Sequence, residues 1–468
     1  MTLSRRDFLG RSGRYLLGAA AGLASASRAS SSVAVQARPS GTALQAGFGP
    51  LRKDPDNILD LPKGFSYRII SMAGDRMTDG FVVPGLADGM IASPGPNDAT
   101  ILVCSHEFRS GYPDDLGPFG GNKRLWEKLD KRFIYDWRPD GTPCLGSVTT
   151  TVYDTRKKKL LSRHLSLAGT MTNCSGGLTP WGTYLCSEEV FEGPGSCCSG
   201  KHGYTFEVAL SAEPKLTVPI PLTAMGRFGK EGVAVDPRSG IVYQTEDLKD
   251  GLFYRFLPAA PGRLAEGGRL QALAVAGSPG FETNNWRSRK FEPDRVFEAV
   301  WIDLEEPDPK EDVLRFRGRD SGAAVFASGE GAAFHDGAIL FTCTNGGTGA
   351  RGQIWRYVPG PEEGAPRESD KPGRLTLVSE PNDPQVLDHP DQIVFAPWGD
   401  LFVCEDGDGD NFVLGVTKDG AFYKFARLAM EGAEPSGVCF SPDRTTMFLN
   451  ELQAGLTFAV TGPWKISV

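Results

Sequence analysis

Apolar and polar residues alternate in short runs along most of the chain, as in Gly399-Asp400-Leu401-Phe402-Val403-Cys404. This period of two predicts β-strands, and the Gly, Pro, Asn and Asp clusters between the runs predict turns. Five segments share one layout. Each opens on a ligand-capable residue and enters a short apolar strand. A Gly- or Pro-containing turn leads into a second alternating strand, which ends in an acidic or amide residue. The segments run Cys174–Glu189, Glu231–Asp247, Glu330–Asn345, Asp391–Asp406 and Glu434–Glu451, with end-to-end separations of 15, 16, 15, 15 and 17. Asp88–Glu107 is a sixth, looser copy with a longer turn. A four-stranded antiparallel unit needs roughly 40–50 residues plus loops. The copies recur about every 69 residues. The expectation is an all-β fold, a six-bladed β-propeller with loop insertions. A β-sandwich with coincidental turns is the alternative, and it does not explain why each copy opens on a ligand type. Helix is expected only briefly, around Asn122–Lys128, and the stretches 258–282 and 359–372 read as surface loops. Residues 38–61 read as a leader wrapping the ring.

Composition narrows the class. Of 468 residues, 58 are Gly and 34 are Pro, which disfavours helical bundles. The glycines follow no three-residue period, so the chain is not collagen-like. A hydrophobic share of 40% is enough for a core. The net charge of −8 and a pI near 5.4 argue against a nucleic-acid partner. There are only five His and no Gly-x-Ser-x-Gly elbow, so Ser-His-Asp catalysis has little support.

Ser4-Arg5-Arg6-Asp7-Phe8-Leu9 resembles a twin-arginine export signal, and a short apolar run to Ala26 follows. The expected division is a signal and spacer over 1–37 and a single propeller domain over 38–468. The location implied is periplasmic or secreted, with no membrane association once the signal is removed. The nine cysteines are an odd number. Most lie in apolar strand-like runs and read as small buried hydrophobes. Cys197 or Cys198, in a Gly/Ser-rich loop, could pair with Cys144.

In a propeller, equivalent positions of the blades face one another across a central channel. Cys174, Glu231, Glu330, Asp391 and Glu434, with Asp88 as a sixth, would then converge. So many carboxylates cannot all stay ionised at short range unless cations neutralise them. Carboxylates suit calcium or ferric iron, and a thiolate favours a transition metal, so a mixed cluster is expected. A second acidic layer follows at Glu188-Glu189, Glu246-Asp247, Glu405-Asp406 and Glu451, with Glu107 in the first copy. Some members could hold further ions and others could close strand ends. Asp406-Gly407-Asp408-Gly409-Asp410-Asn411 is not an EF-hand loop, because Thr417 stands where Glu is needed.

These motifs resemble the PhoX-type bacterial alkaline phosphatases, in particular the shorter members. The matching stretches include Leu61–Tyr67, Asp88-Gly89-Met90, His106-Glu107, Asn173–Gly177, Thr179–Thr183, Gly226-Arg227-Phe228, Glu231-Gly232, Thr245-Glu246-Asp247, Gly251–Phe256, Gly352–Tyr357 and Cys439–Asp443. The resemblance covers nearly all of the chain after the signal. It implies a cluster of ferric iron and calcium, with Cys174 on iron and Glu231, Glu330, Asp391 and Glu434 as further ligands. Glu107, Glu189 and Asp88 complete the expected metal set. The substrate implied is a small-molecule phosphate ester, hydrolysed by a monomer. Two positions depart from the family pattern: Ser328 stands where an Arg would hold phosphate, and Lys230 stands where the family has His. Lys230, Arg227 and Arg351 are the candidate replacements for the missing positive charge. A calcium-dependent lactonase-type hydrolase and a non-catalytic metal-stabilised binding module are the rival readings.

Overall fold

The computed structural model describes residues 47–465. The expected twin-arginine signal and the first part of the expected leader lie outside the described residues. The remaining leader forms β1 (Leu51–Arg52) and β2 (Leu59–Pro62), and β3 (Ser66–Met72) follows. A first meander comprises β4 (Ala87–Pro94), β5 (Thr100–His106), β6 (Gly146–Asp154) and β7 (Lys159–Thr170). Next come β8 (Asn173–Leu178), β9 (Thr183–Glu188) and β10 (Thr205–Ala209). A third run comprises β11 (Lys230–Val235), β12 (Val242–Glu246), β13 (Phe253–Pro258), β14 (Gly268–Val275) and β15 (Val296–Leu304). It is followed by β16 (Gly329–His335), β17 (Ala338–Cys343), β18 (Gln353–Val358) and β19 (Gly373–Ser379). Two further meanders complete the chain: β20 (Pro390–Phe395), β21 (Leu401–Glu405), β22 (Phe412–Val416) and β23 (Phe422–Leu428), then β24 (Pro435–Phe440), β25 (Thr446–Glu451) and β26 (Leu456–Thr461).

The fold is all-β and propeller-like, but its sheets number five rather than six separate ones. Four stand alone. The fifth has nine strands in the order β11-β12-β13-β14-β15-β19-β18-β17-β16. Strand β15 causes the fusion. It pairs with β14 from Leu304 to Ala299 and with β19 from Val296 to Ala299, so it bridges two meanders at their outer edges. Strand β14 corrects the loop expectation for 258–282, since Leu270–Val275 is buried. The 359–372 stretch contains no strand, but it is clamped: Glu363 and Glu368 both pair with the buried Arg255. The expected helix is a single turn, α1 (Lys123–Trp126), capped by the Asn122 side chain accepting from Arg124 N. A second, unexpected helix is α2 (Leu314–Asp320).

Strands from the first and last parts of the described chain interlock. Strand β3 completes the last sheet by pairing Ser66 with Thr461 and Met72 with Leu456. The leader strand β2 joins β23, where Asp60 pairs with Arg427 across 2.6 Å. The inner strands β4, β8, β11, β16, β20 and β24 pack each against the next and close into a ring. The glycines beside the ligand residues permit that approach. A Cβ on Gly89 would lie 2.6 Å from Ser175 Cα, and one on Gly232 would lie 2.5 Å from Glu330 O.

Candidate metal centre and active site

All six inner strands carry an irregularity at the same place. The register slips between Ala87 and Met90, Asn173 and Gly176, Lys230 and Val233, Gly329 and Ala332, Pro390 and Ile393, and Ser436 and Cys439. A β-bulge of this kind re-aims the side chains it contains. The bulged pairs open on Asp88, Cys174, Glu231, Glu330 and Asp391, so the supposedly loose first copy is a strict equivalent. The sixth bulge holds Gly437-Val438 instead. Glu434 therefore does not sit at the equivalent position; it enters from ahead of Pro435, at the start of β24.

These bulges bring ligand atoms together in three overlapping triads. They are Asp88–Glu107–Cys174, Cys174–Glu189–Glu231 and Glu231–Glu330–Asp391, each with its atoms within 4.8 Å of one another. Glu434 belongs to none of them. Gln453 binds it from both sides, with Glu434 N donating to Gln453 Oε1 and Gln453 Nε2 donating to Glu434 Oε2, each at 3.0 Å. Its carboxyl nonetheless feels the ring: burial raises its pKa well above the usual range, and Asp406, Asp391, Asp88 and Glu107 raise it further.

The second acidic layer separates by strand alternation. Glu188, Glu246, Glu405 and Glu451 are buried and hold nearby backbone. Glu188 accepts from Met171, Gly203 and Tyr204 amides, Glu246 from Leu252, Glu405 from Asp388 and Phe412, and Glu451 from Ala454. The following residues lie toward the ring. Glu189 is within hydrogen-bonding reach of Asp247 and Glu107. Asp247 and Asp406 both act electrostatically on Asp391. Their sequence signal was the acidic pair at each strand end, which does not say which member faces inward.

Burial and mutual repulsion dominate the electrostatics. Asp88 is pushed up to about 7, by burial first and then by Glu107. Glu231, Glu330 and Asp391 are held well above the normal carboxylate range, by burial and then by their acidic neighbours. The Cys174 thiol is likewise raised by burial and by Asp88 and Glu231. Both Glu231 carboxylate oxygens are buried without a hydrogen-bond partner. A buried carboxylate normally finds a hydrogen bond, a charge partner or a cation. Orphaned oxygens beside a thiol and further carboxylates are a donor set that fits multivalent cations.

The expected positive groups lie elsewhere. Lys230 is buried, with Nζ donating to Met225 O at 2.9 Å and Gln244 Oε1 at 2.7 Å, over the Phe228 ring. Arg227 donates to the carbonyls of His202, Pro309, Lys310 and Glu192 and stacks on Phe191. Both side chains are committed to holding loops. Ser328 is buried in a left-handed conformation (φ 55°), with Oγ accepting from Asn345 Nδ2 at 3.0 Å. The cation at the ring is Arg109, which the motifs did not single out. Its Nη2 lies 3.1 Å from both Glu107 Oε1 and Glu189 Oε2, and its side chain is 62% exposed. Below the ring, the channel widens into a cavity of about 490 Å³ lined largely by apolar side chains such as Val233, Ile393 and Val438.

A closed ring of inner strands, with acidic residues and one cysteine at one mouth, defines a propeller-type protein with a central ligand cluster. The model for the alkaline phosphatase PhoX family matches residues 46–117 and 150–455. The chain belongs to that family. Among solved structures, PhoX of Pseudomonas fluorescens in complex with vanadate, a transition-state analogue, is similar with a TM-score of 0.64 and 18% identity. The match covers 87% of this chain and 96% of that one. A gluconolactonase of Xanthomonas campestris matches with a TM-score of 0.41 and 12% identity, over 89% of this chain and 98% of its own. No curated protein matches the chain in sequence.

Proposed function

We propose that this protein is an exported, metal-dependent phosphoric ester hydrolase acting as a monomer on small-molecule phosphate esters. The export signal would occupy 1–37 and a single domain 38–468. The nine-stranded sheet then counts as two blades of a six-bladed propeller, bridged by β15. The observation that carries the reading is the bulged ring: chemically matched ligands at equivalent positions, with the Glu231 oxygens unpartnered, in a chain of the PhoX family.

In this reading Cys174 is the thiolate for ferric iron. Asp88, Glu231, Glu330 and Asp391, with Glu107, Glu189 and Glu434 at the rim, hold iron and calcium. Bound there, the cations would supply Lewis-acid neutralisation of the phosphoryl oxygens and activation of the attacking water. The remaining work falls to the chain. Arg109 stands at the open side of the ring, where Ser328 cannot provide charge. Its guanidinium, placed between Glu107 and Glu189 and open to solvent, is the group that would hold the phosphate in bidentate fashion. Cations held by these carboxylates would lower the negative charge that a dianionic ester meets.

The test is elemental analysis of the folded protein, followed by phosphomonoester hydrolysis with and without added calcium. Iron together with calcium, and calcium-stimulated hydrolysis, are expected. Calcium without iron would favour the lactonase-type reading. A metal-replete protein that hydrolyses no phosphomonoester would overturn the phosphatase assignment.

A further inference from the structure

Outside the ring, a second group of metal-type side chains meets in one loop. Strand β9 ends at Glu188 and β10 begins at Thr205, and the connection between them contains no regular structure. It carries Gly193-Pro194-Gly195-Ser196-Cys197-Cys198-Ser199-Gly200. Ordering such a segment costs about 1–2 kcal/mol per residue in backbone entropy. The apolar support under it is slight: Cys144, Met171 and Cys198, flanked by Val190 and Cys197. Arg227 holds the carbonyls of Glu192 and His202 toward its ends, and a buried cluster of ligand-type side chains lies between them and the neighbouring strands. Asp136, Cys198 and His202 are all buried, and their ligand atoms lie within 4.8 Å of one another.

We propose that Asp136, Cys198 and His202, with Cys144 as fourth ligand, form a second metal site that takes a thiophilic divalent cation of the zinc class and staples the loop. The donor set of thiolate, imidazole and carboxylate suits such an ion. The four-residue step from Cys198 to His202 falls within the spacing common to zinc ligands. His202 Nε2 is 3.0 Å from Asp136 Oδ2. Two ligands bound at about 2.0–2.1 Å to a tetrahedral ion lie about 3.3 Å apart, so a small outward shift of this hydrogen-bonded pair would admit one. Cys144 packs in the same small cluster as Cys198, and its thiol lies beside the His202 imidazole. On its other side, His202 Nδ1 lies 2.7 Å from Glu188 Oε1, so Nδ1 keeps its proton and Nε2 points its lone pair at the site. The amides of Ser199 and Gly200 donate to Asp136 Oδ2 at 3.0 and 2.7 Å and fix that carboxylate. Metal binding would release the thiol protons of Cys198 and Cys144 and the Nε2 proton to solvent.

The site does not depend on the phosphatase reading, but it touches the ring. Glu188 braces His202 while its neighbour Glu189 faces the ring, so the staple also holds part of the ring's rim.

The test uses the full chain with Cys174→Ser, which removes the ring thiol. Cobalt(II) added to the chelator-treated protein should produce thiolate-to-cobalt charge transfer and the visible bands of a tetrahedral site. Adding Cys198→Ser should abolish both, and zinc in the untreated protein should fall by one equivalent per chain. If these variants do not fold, alkylation of the unmodified chain decides: zinc should protect Cys144 and Cys198, and a chelator should expose them. No cobalt–thiolate spectrum, equal alkylation with and without zinc, or Cys198 recovered in a disulfide would each overturn the proposal.

Discussion

Glu231 and Asp136 are both carboxylates packed beside a cysteine, and they are satisfied in opposite ways. Glu231 has no hydrogen-bond partner at either oxygen. Asp136 Oδ2 accepts from two amides and faces His202 Nε2. Burial opposes ionisation of both. At Glu231 the neighbouring Asp391, Glu189 and Asp88 add to burial, and the pKa stands well above normal. At Asp136 the hydrogen bonds from His202 and the backbone outweigh burial, and the pKa falls. The ring is therefore a site whose charge balance calls for cations. The loop cluster can be balanced by a proton on His202 or by one metal ion. Cation removal should strain the first far more than the second.

The largest expected effect is at the ring. Glu231→Gln removes a ligand shared by two triads, and phosphomonoester hydrolysis should fall by about 10³-fold, with reduced metal content by elemental analysis. Unchanged metal and unchanged rate would mean that the orphaned carboxylate holds nothing. Next is Arg109→Ala, expected to lower kcat/KM by about 10²-fold while leaving metal content intact, with partial recovery in Arg109→Lys. A loss of metal in parallel with the rate would instead make Arg109 a brace for Glu107 and Glu189.

The third effect separates the two clusters by pH. Ring acids whose folded pKa is raised bind more protons folded than unfolded, so metal-free stability is greatest at low pH and falls as pH rises. For Asp88 the window runs from the ordinary 3.8 to about 7. In the loop cluster the two groups differ in sign. Asp136, with a lowered pKa, gains stability as pH rises through its unfolded value. His202 rises to about 12: burial works against its charge, but Glu188 and Asp136 outweigh it. Its contribution is complete below its unfolded value of 6.5 and begins to fade only above it. Urea unfolding with a chelator should therefore show stability dropping from acid toward neutral pH, and added calcium should flatten that slope. A chelated protein that gains stability over the same range would show that burial and acidic neighbours do not hold the ring acids protonated.

What was legible in the chain follows the same division. The ring ligands recur at one place in each strand pair, and repetition exposes them without any knowledge of the fold. The glycine after Asp88, Glu231 and Glu330 reports the close approach of inner strands. Glu434 was misplaced by the same reasoning, because segment ends do not reveal where a bulge falls; in β24 it falls on Gly437-Val438. Strand β15 was hidden because bridging two meanders leaves no periodic signature. Asp136, Cys198 and His202 meet only through a long loop, so no spacing rule could assemble all three. Arg109 was missed because an Arg two residues after an acid is ordinary until Glu189 is brought beside it. Glu188→Gln tests the bridge between the clusters. It should weaken zinc-class binding about 10-fold by freeing His202, and should lower ring activity by less than Glu231→Gln does.

The smallest effect is expected where adjacency in sequence was most misleading. Lys230 precedes Glu231, but its ammonium donates to Met225 O and Gln244 Oε1 and lies 3.7 Å from the Phe228 ring centroid. Burial lowers its pKa well below the ordinary value, with Glu246 only partly countering it. A charge in that position cannot hold phosphate without abandoning both acceptors. Lys230→Met keeps the length and the contact with Phe228 while removing the donor. It leaves Gln244 Oε1 without its donor, a cost of about 1–3 kcal/mol, while Met225 O keeps the bond from Gln244 Nε2. The expected outcome is a modest fall in unfolding midpoint with kcat and KM for a phosphomonoester unchanged. A rise in KM with stability unaltered would instead bring Lys230 back to the substrate and require the strand to rotate its bulge when cations bind.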